Sequence, residues 1–268
     1  AGMHTRAVAL LQLETDLRWA IDREEFELYY QPIISLESGR IGGFEALIRW
    51  KHPERGLVSP IDFIPVAEET GWIVPIGRWV LEQACSQLAL WHQNLPTDIP
   101  ITMSVNLSGK QFSQPDLITS IEDLLARHQI PPGCLKLEIT ESSIMENAEA
   151  VTERLLRLRA IGVKLGLDDF GTGYSSLSYL HRFPLDTLKI DRSFIARMNE
   201  DGENREIVRT ILSLGKNLGM EVVAEGVEEI EQLVDLRNLD CKHGQGYFFA
   251  RPLTSDQAQD LLSSTPSW

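Results

Sequence analysis

Residues 26–50 read FELYYQPIISLESGRIGGFEALIRW, and this stretch decides the fold. Phe26–Ile33 and Gly42–Trp50 are rich in apolar and aromatic residues, which predicts a strand in each run. Only the short stretch Ser35–Ile41 separates them. Parallel neighbours need a connection of about a dozen residues or more, so we predict that the first strand runs antiparallel to the second.

Downstream of Trp50, strand-like and helix-like segments alternate with short connections, which indicates a parallel sheet. Further strands are predicted at Ile101–Leu107, Leu135–Thr140, Val163–Leu167, Thr187–Asp191, Glu221–Ala224 and Gln245–Phe249. Helices are predicted at Val8–Arg23, Ile61–Glu69, Ile76–His92, Pro115–His128, Ala148–Ala160, Ser175–Leu180, Arg205–Leu218, Ile230–Leu239 and Ser255–Leu262. About eight βα units favour an α/β fold, a (β/α)8 TIM-like barrel with an antiparallel first strand.

Composition narrows the range of functions. The chain has 268 residues and a net charge of −14, so it carries no electrostatic footprint for a DNA or RNA polymer. Its three cysteines, Cys85, Cys134 and Cys241, lack metal-ligand spacing and indicate reduced intracellular thiols. No apolar run approaches the roughly 18 residues of a membrane span, and no signal peptide is visible. We therefore expect a cytoplasmic domain.

Acidic and amide residues lie at the carboxyl ends of the predicted strands, where each strand is followed by a loop. This is the end of a (β/α)8 barrel that carries active sites. They are Glu45, Asn106, Glu138, Asp168, Asp169, Asp191 and Glu225, accompanied by the cations Arg49 and Lys189. Six carboxylates against two cations leave a formal charge of −4, which two divalent ions would neutralise. Oxygen ligands without His or Cys suit Mg²⁺ or Mn²⁺, and a shared carboxylate can bridge two ions about 3.5–4 Å apart.

Each residue also has a simpler interpretation. Any one acid alone is as well explained as a helix cap or a surface group, as Asp169 is before the following helix. Lys189 either pairs with Asp191 on the barrel wall or acts beside the metals, where an ammonium orients water or steadies phosphate charge. The sequence Gly171-Thr172-Gly173 is either an ordinary turn or a mobile loop that completes the site. Coincidence at several equivalent strand ends favours the functional interpretation.

Five motifs stand in order along the chain. They are Glu45-Ala46-Leu47 within a Glu-x-Leu-x-Arg pattern ending at Arg49, Asp168-Asp169-Phe170-Gly171-Thr172-Gly173-Tyr174-Ser175-Ser176-Leu177, Lys189-Ile190-Asp191, Ala224-Glu225-Gly226-Val227-Glu228 and Gln245-Gly246-Tyr247. With these motifs the chain resembles the EAL-domain family of cyclic di-GMP phosphodiesterases from about Phe26 to Leu253. The resemblance implies a barrel with an antiparallel first strand and hydrolysis of cyclic di-GMP to linear pGpG.

The same resemblance implies roles for individual residues. Glu45, Asn106, Glu138 and Asp168 would hold one metal ion, and Asp168, Asp169 and Glu225 the second. Lys189 would bind or activate water, with Asp191 and Gln245 close by. Leu47 and Arg49 would contact the nucleotide and its phosphate. Glu141 and Glu228 would support the site loop, and Ca²⁺ would bind and inhibit because its looser geometry misplaces the water.

The resemblance extends to organisation. Residues 1–23 look like a helical linker from an upstream GGDEF domain, with the phosphodiesterase barrel at 24–268, so any membrane contact would come from segments outside this chain. A homodimer through the loop 169–176 and the helix after it is also implied. Two other functions stay open at this point: a receptor that binds cyclic di-GMP without turnover, and a metal-dependent barrel enzyme acting on a small enolisable acid.

Overall fold

The structure, a computed structural model, describes residues 12–94, 101–144, 148–171, 180–199 and 202–268. Within these ranges nine strands are numbered in chain order. They are β1 Phe26–Ser35, β2 Ile41–His52, β3 Gly56–Val58, β4 Thr102–Asn106, β5 Leu135–Thr140, β6 Lys164–Phe170, β7 Thr187–Ile190, β8 Glu221–Ala224 and β9 His243–Gly244.

Eight of these strands close into a barrel. Their order is β1-β9-β8-β7-β6-β5-β4-β2, and a pairing between β1 and β2 completes the ring, while β3 extends β2 as a short antiparallel edge. Strands β2 and β4 to β9 run parallel to one another. The predicted (β/α)8 barrel is therefore confirmed.

The antiparallel first strand is confirmed as well. β1 and β2 form a hairpin in which Gln31 lies opposite Glu45 and Tyr29 opposite Leu47. The amide of Ser35 donates to the carbonyl of Arg40 (2.9 Å) to close the turn. Gly39 has a φ of 68°, a left-handed conformation that glycine adopts without strain.

Helices surround the barrel. They are residues 12–20, Pro60–Thr70, Ile73–Asn94, Gly109–Phe112, Leu117–Arg127, Glu141–Ile144, Ala148–Ala160, Arg192–Arg197, Gly202–Leu218, Ile230–Asn238 and Ser255–Ser263. The predicted helix Ser175–Leu180 falls almost wholly outside the described residues. Among the helices of the described ranges, none is long and apolar enough to cross a bilayer.

One strand prediction was wrong. Gln245–Phe249 is not a strand: β9 covers only His243–Gly244, and the chain then turns. The reason lies at Gly246, where a Cβ atom would come within 2.1 Å of the carbonyl oxygen of Val227. The backbone amides of Phe249 and Ala250 both donate hydrogen bonds to the carbonyl oxygen of Gly246, which holds the apolar residues after Gly246 in a turn.

The apolar core lies between the barrel and its helices. Trp50 packs edge-on against Phe63, with ring centroids 5.5 Å apart, and Trp91 contacts Tyr30 at 5.0 Å. The helix at residues 12–20 buries Leu13, Leu17 and Ala20 against the same core. How far the barrel domain extends into residues 1–23 stays a prediction.

The barrel interior is polar rather than filled by branched apolar layers. Paired residues share a side of the sheet, so Ser104, Lys136 and Lys164 face inward with Glu45. Lys136 and Lys164 lie at the amino ends of β5 and β6. Nearer the carboxyl ends the inward positions are acidic, which concentrates negative charge at one mouth of the barrel.

Candidate active site

Lys189 lies at the centre of the acidic mouth and is 1% exposed. Its Nζ atom is 2.6 Å from Glu138 Oε2 and 2.7 Å from Glu225 Oε1. It is also 3.3 Å from Glu45 Oε2 and from Asp168 Oδ1. One ammonium on β7 therefore joins carboxylates contributed by β2, β5, β6 and the end of β8. The simpler interpretation, a Lys189–Asp191 pair on the barrel wall, is wrong.

Burial by itself lowers the pKa of Lys189, but the surrounding carboxylates, led by Glu138 and Glu225, outweigh it and raise the pKa well above the usual value. Lys189 therefore stays positively charged at neutral pH. Four carboxylates pair with this single ammonium, which leaves a formal charge of −3, and the exposed Asp169 beside them makes it −4 when all are ionised. Further cations would stabilise a negative excess of this size, most of it buried.

Glu45 is held from both sides in the middle of β2. Its Oε1 atom accepts a hydrogen bond from Asn106 Nδ2 (2.7 Å), and its Oε2 atom accepts one from Gln245 Nε2 (2.7 Å). Burial raises the pKa of Glu45, but Lys189 and the two amide donors outweigh that effect, so the pKa lies below its usual value. Glu45 is thus an ionised carboxylate with a fixed orientation.

Glu225 and Glu138 behave differently. Burial raises the pKa of Glu225 to about 8, opposed by Lys189 and supported by the charges of Asp168 and Glu45. Burial likewise raises the pKa of Glu138 despite the nearby Lys189. Lys189 alone therefore does not neutralise the cluster, since these two carboxyl groups retain protons more readily than free glutamate does.

Asp168 and Asp169 occupy a bulge at the end of β6, where the pairing with β7 shifts between Leu167 and Phe170. Asp169 has a φ of 55°, uncommon for a residue other than glycine and typical of strained positions at functional sites. Burial and the charge of Asp168 raise the pKa of Asp169. Asp168 faces inward, paired with Thr140, and the bulge turns the chain so that Asp169 also joins the cluster.

Three carboxylates lie close enough together to hold a metal ion. Oxygen atoms of Asp168, Asp169 and Glu225 lie within 4.8 Å of one another. These are the residues that the family resemblance assigns to the second ion. The donor set is entirely oxygen, which suits a hard divalent cation.

The rim of the mouth carries positive and aromatic groups. Arg49 is half-buried at the end of β2, and its guanidinium lies 5.5 Å from the centre of the Tyr29 ring. Its Nη1 atom donates to the carbonyl of Ile48 (2.8 Å). Leu47, also half-buried, shares the side of the sheet that holds Glu45. A phosphate or nucleotide approaching the acidic mouth would meet this rim.

Three other candidate residues lie outside the ion pairs of Lys189. Asp191 caps the helix Arg192–Arg197, where its Oδ1 atom accepts a hydrogen bond from the amide of Ser193 (3.0 Å). Glu141 is 5% exposed, and its Oε2 atom has no hydrogen-bond partner among the described residues. Glu228, three residues after Glu225, is exposed. Residues 172–179 lie outside the described ranges, so the proposed loop contacts of Glu141 and Glu228 stay predictions.

Sequence reasoning missed one residue of the site. Gln31 on β1 is 8% exposed, and its Oε1 atom accepts a hydrogen bond from Gln245 Nε2 (3.0 Å). The signal that could have found it is the hairpin, because the register of β1 on β2 places Gln31 opposite Glu45. A neutral amide on the antiparallel first strand does not stand out among the charged residues of the sequence.

A model of the EAL domain family matches residues 14–252. The chain belongs to the EAL domain family. This EAL domain is 45% identical over 264 residues to the bifunctional diguanylate cyclase/cyclic di-GMP phosphodiesterase MucR of Pseudomonas aeruginosa, covering 98% of this chain and 38% of MucR. It is 41% identical over 257 residues to the cyclic di-GMP phosphodiesterase NbdA of the same species, covering 96% of this chain and 33% of NbdA.

A solved structure described as "PaMucR Phosphodiesterase, c-di-GMP complex" superposes on this EAL domain with a TM-score of 0.88. The two are 44% identical, and the match covers 92% of this chain and 99% of that one. The chain spans less than half the length of the curated relatives that it matches here. The barrel with its antiparallel first strand is thus shared with a solved member of the family.

Proposed function

We propose that this EAL domain hydrolyses cyclic di-GMP to linear pGpG with the help of two divalent metal ions. The single observation that carries the proposal is the cluster of carboxylates around Lys189 at one barrel mouth. The names of MucR and NbdA, and the cyclic di-GMP complex of the related MucR domain, support the choice of substrate.

The residues fit the ions that the proposal requires. Glu45, Asn106, Glu138 and Asp168 would hold one ion, and Asp168, Asp169 and Glu225 the other. The formal charge of −4 matches two divalent cations, and Asp168 is common to both sets. We propose Mg²⁺ or Mn²⁺ as the working ions and Ca²⁺ as an inhibitor, since Ca²⁺ accepts longer and looser coordination.

Bound divalent ions would supply an activated water and neutralise charge on the phosphate. The protein's own groups would do the rest. Lys189 would bind or activate the attacking water or steady charge on the phosphate, since its ammonium lies among the proposed metal ligands. Arg49 and Leu47 at the rim would position the nucleotide, with the guanidinium paired to a phosphate.

Two further proposals concern context. We propose that the domain acts in the cytoplasm, with an upstream domain joined through residues 1–23 and any membrane contact made by segments outside this chain. We also propose a homodimer formed through the loop 169–176 and the helix after it. Both rest on the sequence resemblance.

The experiment is a product profile from cyclic di-GMP with Mg²⁺, with Mn²⁺ and with excess chelator. We expect pGpG with either ion and none with chelator, while circular dichroism shows that the fold remains. Binding of cyclic di-GMP without any product would instead identify a receptor. Undiminished turnover in chelator would contradict the metal-dependent mechanism.

A further inference from the structure

A chain of amide hydrogen bonds runs beneath Glu45. Gln31 Nε2 donates to the carbonyl oxygen of Ala250 (3.2 Å), and Gln31 Oε1 accepts from Gln245 Nε2 (3.0 Å). Gln245 Nε2 also donates to Glu45 Oε2 (2.7 Å). Gln31 and Gln245 are 8% and 4% exposed, so water does not compete freely for these bonds.

The chemistry of the chain's two ends fixes the orientation of both amides. A backbone carbonyl can only accept, so the nitrogen of Gln31 must face Ala250 and its oxygen must face Gln245. That oxygen in turn requires the nitrogen of Gln245, whose second hydrogen serves the ionised Glu45. Every bond has one donor and one acceptor, and reversing either amide would place two acceptors or two donors together.

This arrangement leaves one acceptor unused. Gln245 Oε1 is buried and accepts no hydrogen bond from any residue that the structure describes. Buried polar atoms without a partner are uncommon, and their desolvation is unfavourable. Gln31 and Glu45 together set the orientation of the Gln245 amide, so this unused acceptor is a property of the amide chain rather than of Gln245 alone.

We propose that Gln31 is a positioning residue that fixes the Gln245 amide, so that its nitrogen steadies Glu45 and its oxygen accepts an O–H or N–H from the bound substrate or water. The proposal rests on the proposed function for the identity of that ligand. The proposal goes beyond that function because it assigns a residue of the antiparallel first strand a positioning role at the site.

The fold explains why β1 can do this. Its antiparallel register places Gln31 opposite Glu45. The neighbouring Tyr30 exchanges two backbone hydrogen bonds with Leu253 (2.7 and 2.9 Å). Those bonds hold the segment that carries the Ala250 carbonyl against β1, so the first strand and the C-terminal segment clamp the amide chain together.

The test replaces Gln31 with methionine, which keeps the length and loses both hydrogen-bonding atoms. Losing a buried partner leaves a donor of Gln245 unpaired, and we expect kcat/KM for cyclic di-GMP to fall about tenfold or more. Mn²⁺ affinity, measured by calorimetry, should weaken severalfold through Glu45. The variant Gln31→Glu keeps an acceptor for Gln245 and should recover part of the loss.

Gln111→Met is the matched control. Gln111 is also buried, and its Oε1 atom accepts hydrogen bonds from the amide and the hydroxyl of Ser108 (3.2 and 2.9 Å), but the structure describes no hydrogen bond between it and a candidate site residue. We expect that variant to lose stability and keep kcat/KM and Mn²⁺ affinity. Parental kcat/KM and Mn²⁺ affinity in Gln31→Met would overturn the proposal, as would equal losses in Gln111→Met.

A measurement on the unaltered chain keeps the proposal testable if Gln31→Met fails to fold. In protein labelled with ¹⁵N-glutamine, the side-chain amide hydrogens of Gln245 should exchange slowly with solvent, because both are hydrogen-bonded and buried. Fast exchange would overturn the amide chain. If the parent protein does not cleave cyclic di-GMP, the proposed function fails, whereas exchange and Mn²⁺ affinity still decide the role of Gln31.

Discussion

Replacing Lys189 with methionine removes the one positive charge that contacts four carboxylates in the metal-free site. At the 2.6 Å between Nζ and Glu138 Oε2, opposite charges attract by about 6 kcal/mol at an effective dielectric constant of about 20. Desolvation of both groups offsets much of this attraction. Removing one partner of a buried pair typically lowers the free energy of unfolding by about 3–5 kcal/mol, the loss we expect here.

Divalent ions should reverse that loss. Because they supply the missing positive charge, millimolar Mn²⁺ should return most of the stability of Lys189→Met, and Mn²⁺ binding should be kept. Turnover should not return: losing one electrostatic contact to the reacting groups typically lowers the rate about 10²–10³-fold. Stability and catalysis would thus separate in a single variant.

Urea denaturation in chelator and in Mn²⁺ measures the first effect, and initial rates measure the second. Lys136→Met is the matched control, since Lys136 is buried and faces inward on β5 but lies outside the ion pairs of Lys189. Burial lowers the pKa of Lys136, so its removal should be neutral or stabilising. A metal-free Lys189→Met as stable as its parent, or one with parental turnover, would refute the reasoning.

Four further outcomes are expected. Glu45→Ala should lose Mn²⁺ binding and nearly all activity, as calorimetry and initial rates would show. At pH 7 the metal-free Glu225, with a pKa of about 8, holds a proton that an ion must displace, so calorimetry in buffers of different ionisation enthalpy should detect proton release that fades above about pH 9. Arg49→Ala should raise KM about tenfold with a smaller change in kcat, because one charge-assisted contact to phosphate is lost. Glu141→Ala should lower activity, weaken binding of the second metal ion and shift the monomer–dimer equilibrium measured by sedimentation.

Each of these has a contrary result. Full Mn²⁺ binding by Glu45→Ala would remove Glu45 from the ligand set. Binding without proton release at pH 7 would show that Glu225 is already ionised or is no ligand. An unchanged KM in Arg49→Ala would place Arg49 outside the substrate site. Parental activity and a parental monomer–dimer equilibrium in Glu141→Ala would contradict the proposed coupling between the loop 169–176 and dimer formation.

The sequence predicted the barrel because its signals are local. Leu135–Thr140 and Glu221–Ala224 have the predicted bounds, since apolar character and turn residues mark both ends. The sequence did not predict the short edge strand Gly56–Val58, because three residues are too few to show an alternation of apolar and polar side chains. The turn after β9 was mistaken for a strand because its cause, the contact of Gly246 with Val227, joins residues distant in sequence.

The site, like the fold, has features that local sequence patterns predict and others that depend on contacts between distant residues. Alternation along strands was enough to place Glu45, Glu138, Asp168 and Lys189 at one mouth. It could not show that Lys189 contacts four acids at once, because strand stagger decides which inward groups meet. It also could not anticipate that Asp191 caps a helix, or that Gln31 joins the site through an amide chain closed by Ala250.

The most direct test of the central claim is the product formed from cyclic di-GMP by this chain in Mg²⁺ or Mn²⁺, resolved chromatographically against pGpG and GMP standards. The account predicts pGpG, formed only when the divalent ion is present and almost absent with Glu45→Ala. No product from a folded, metal-loaded protein, or equal turnover in excess chelator, would contradict it.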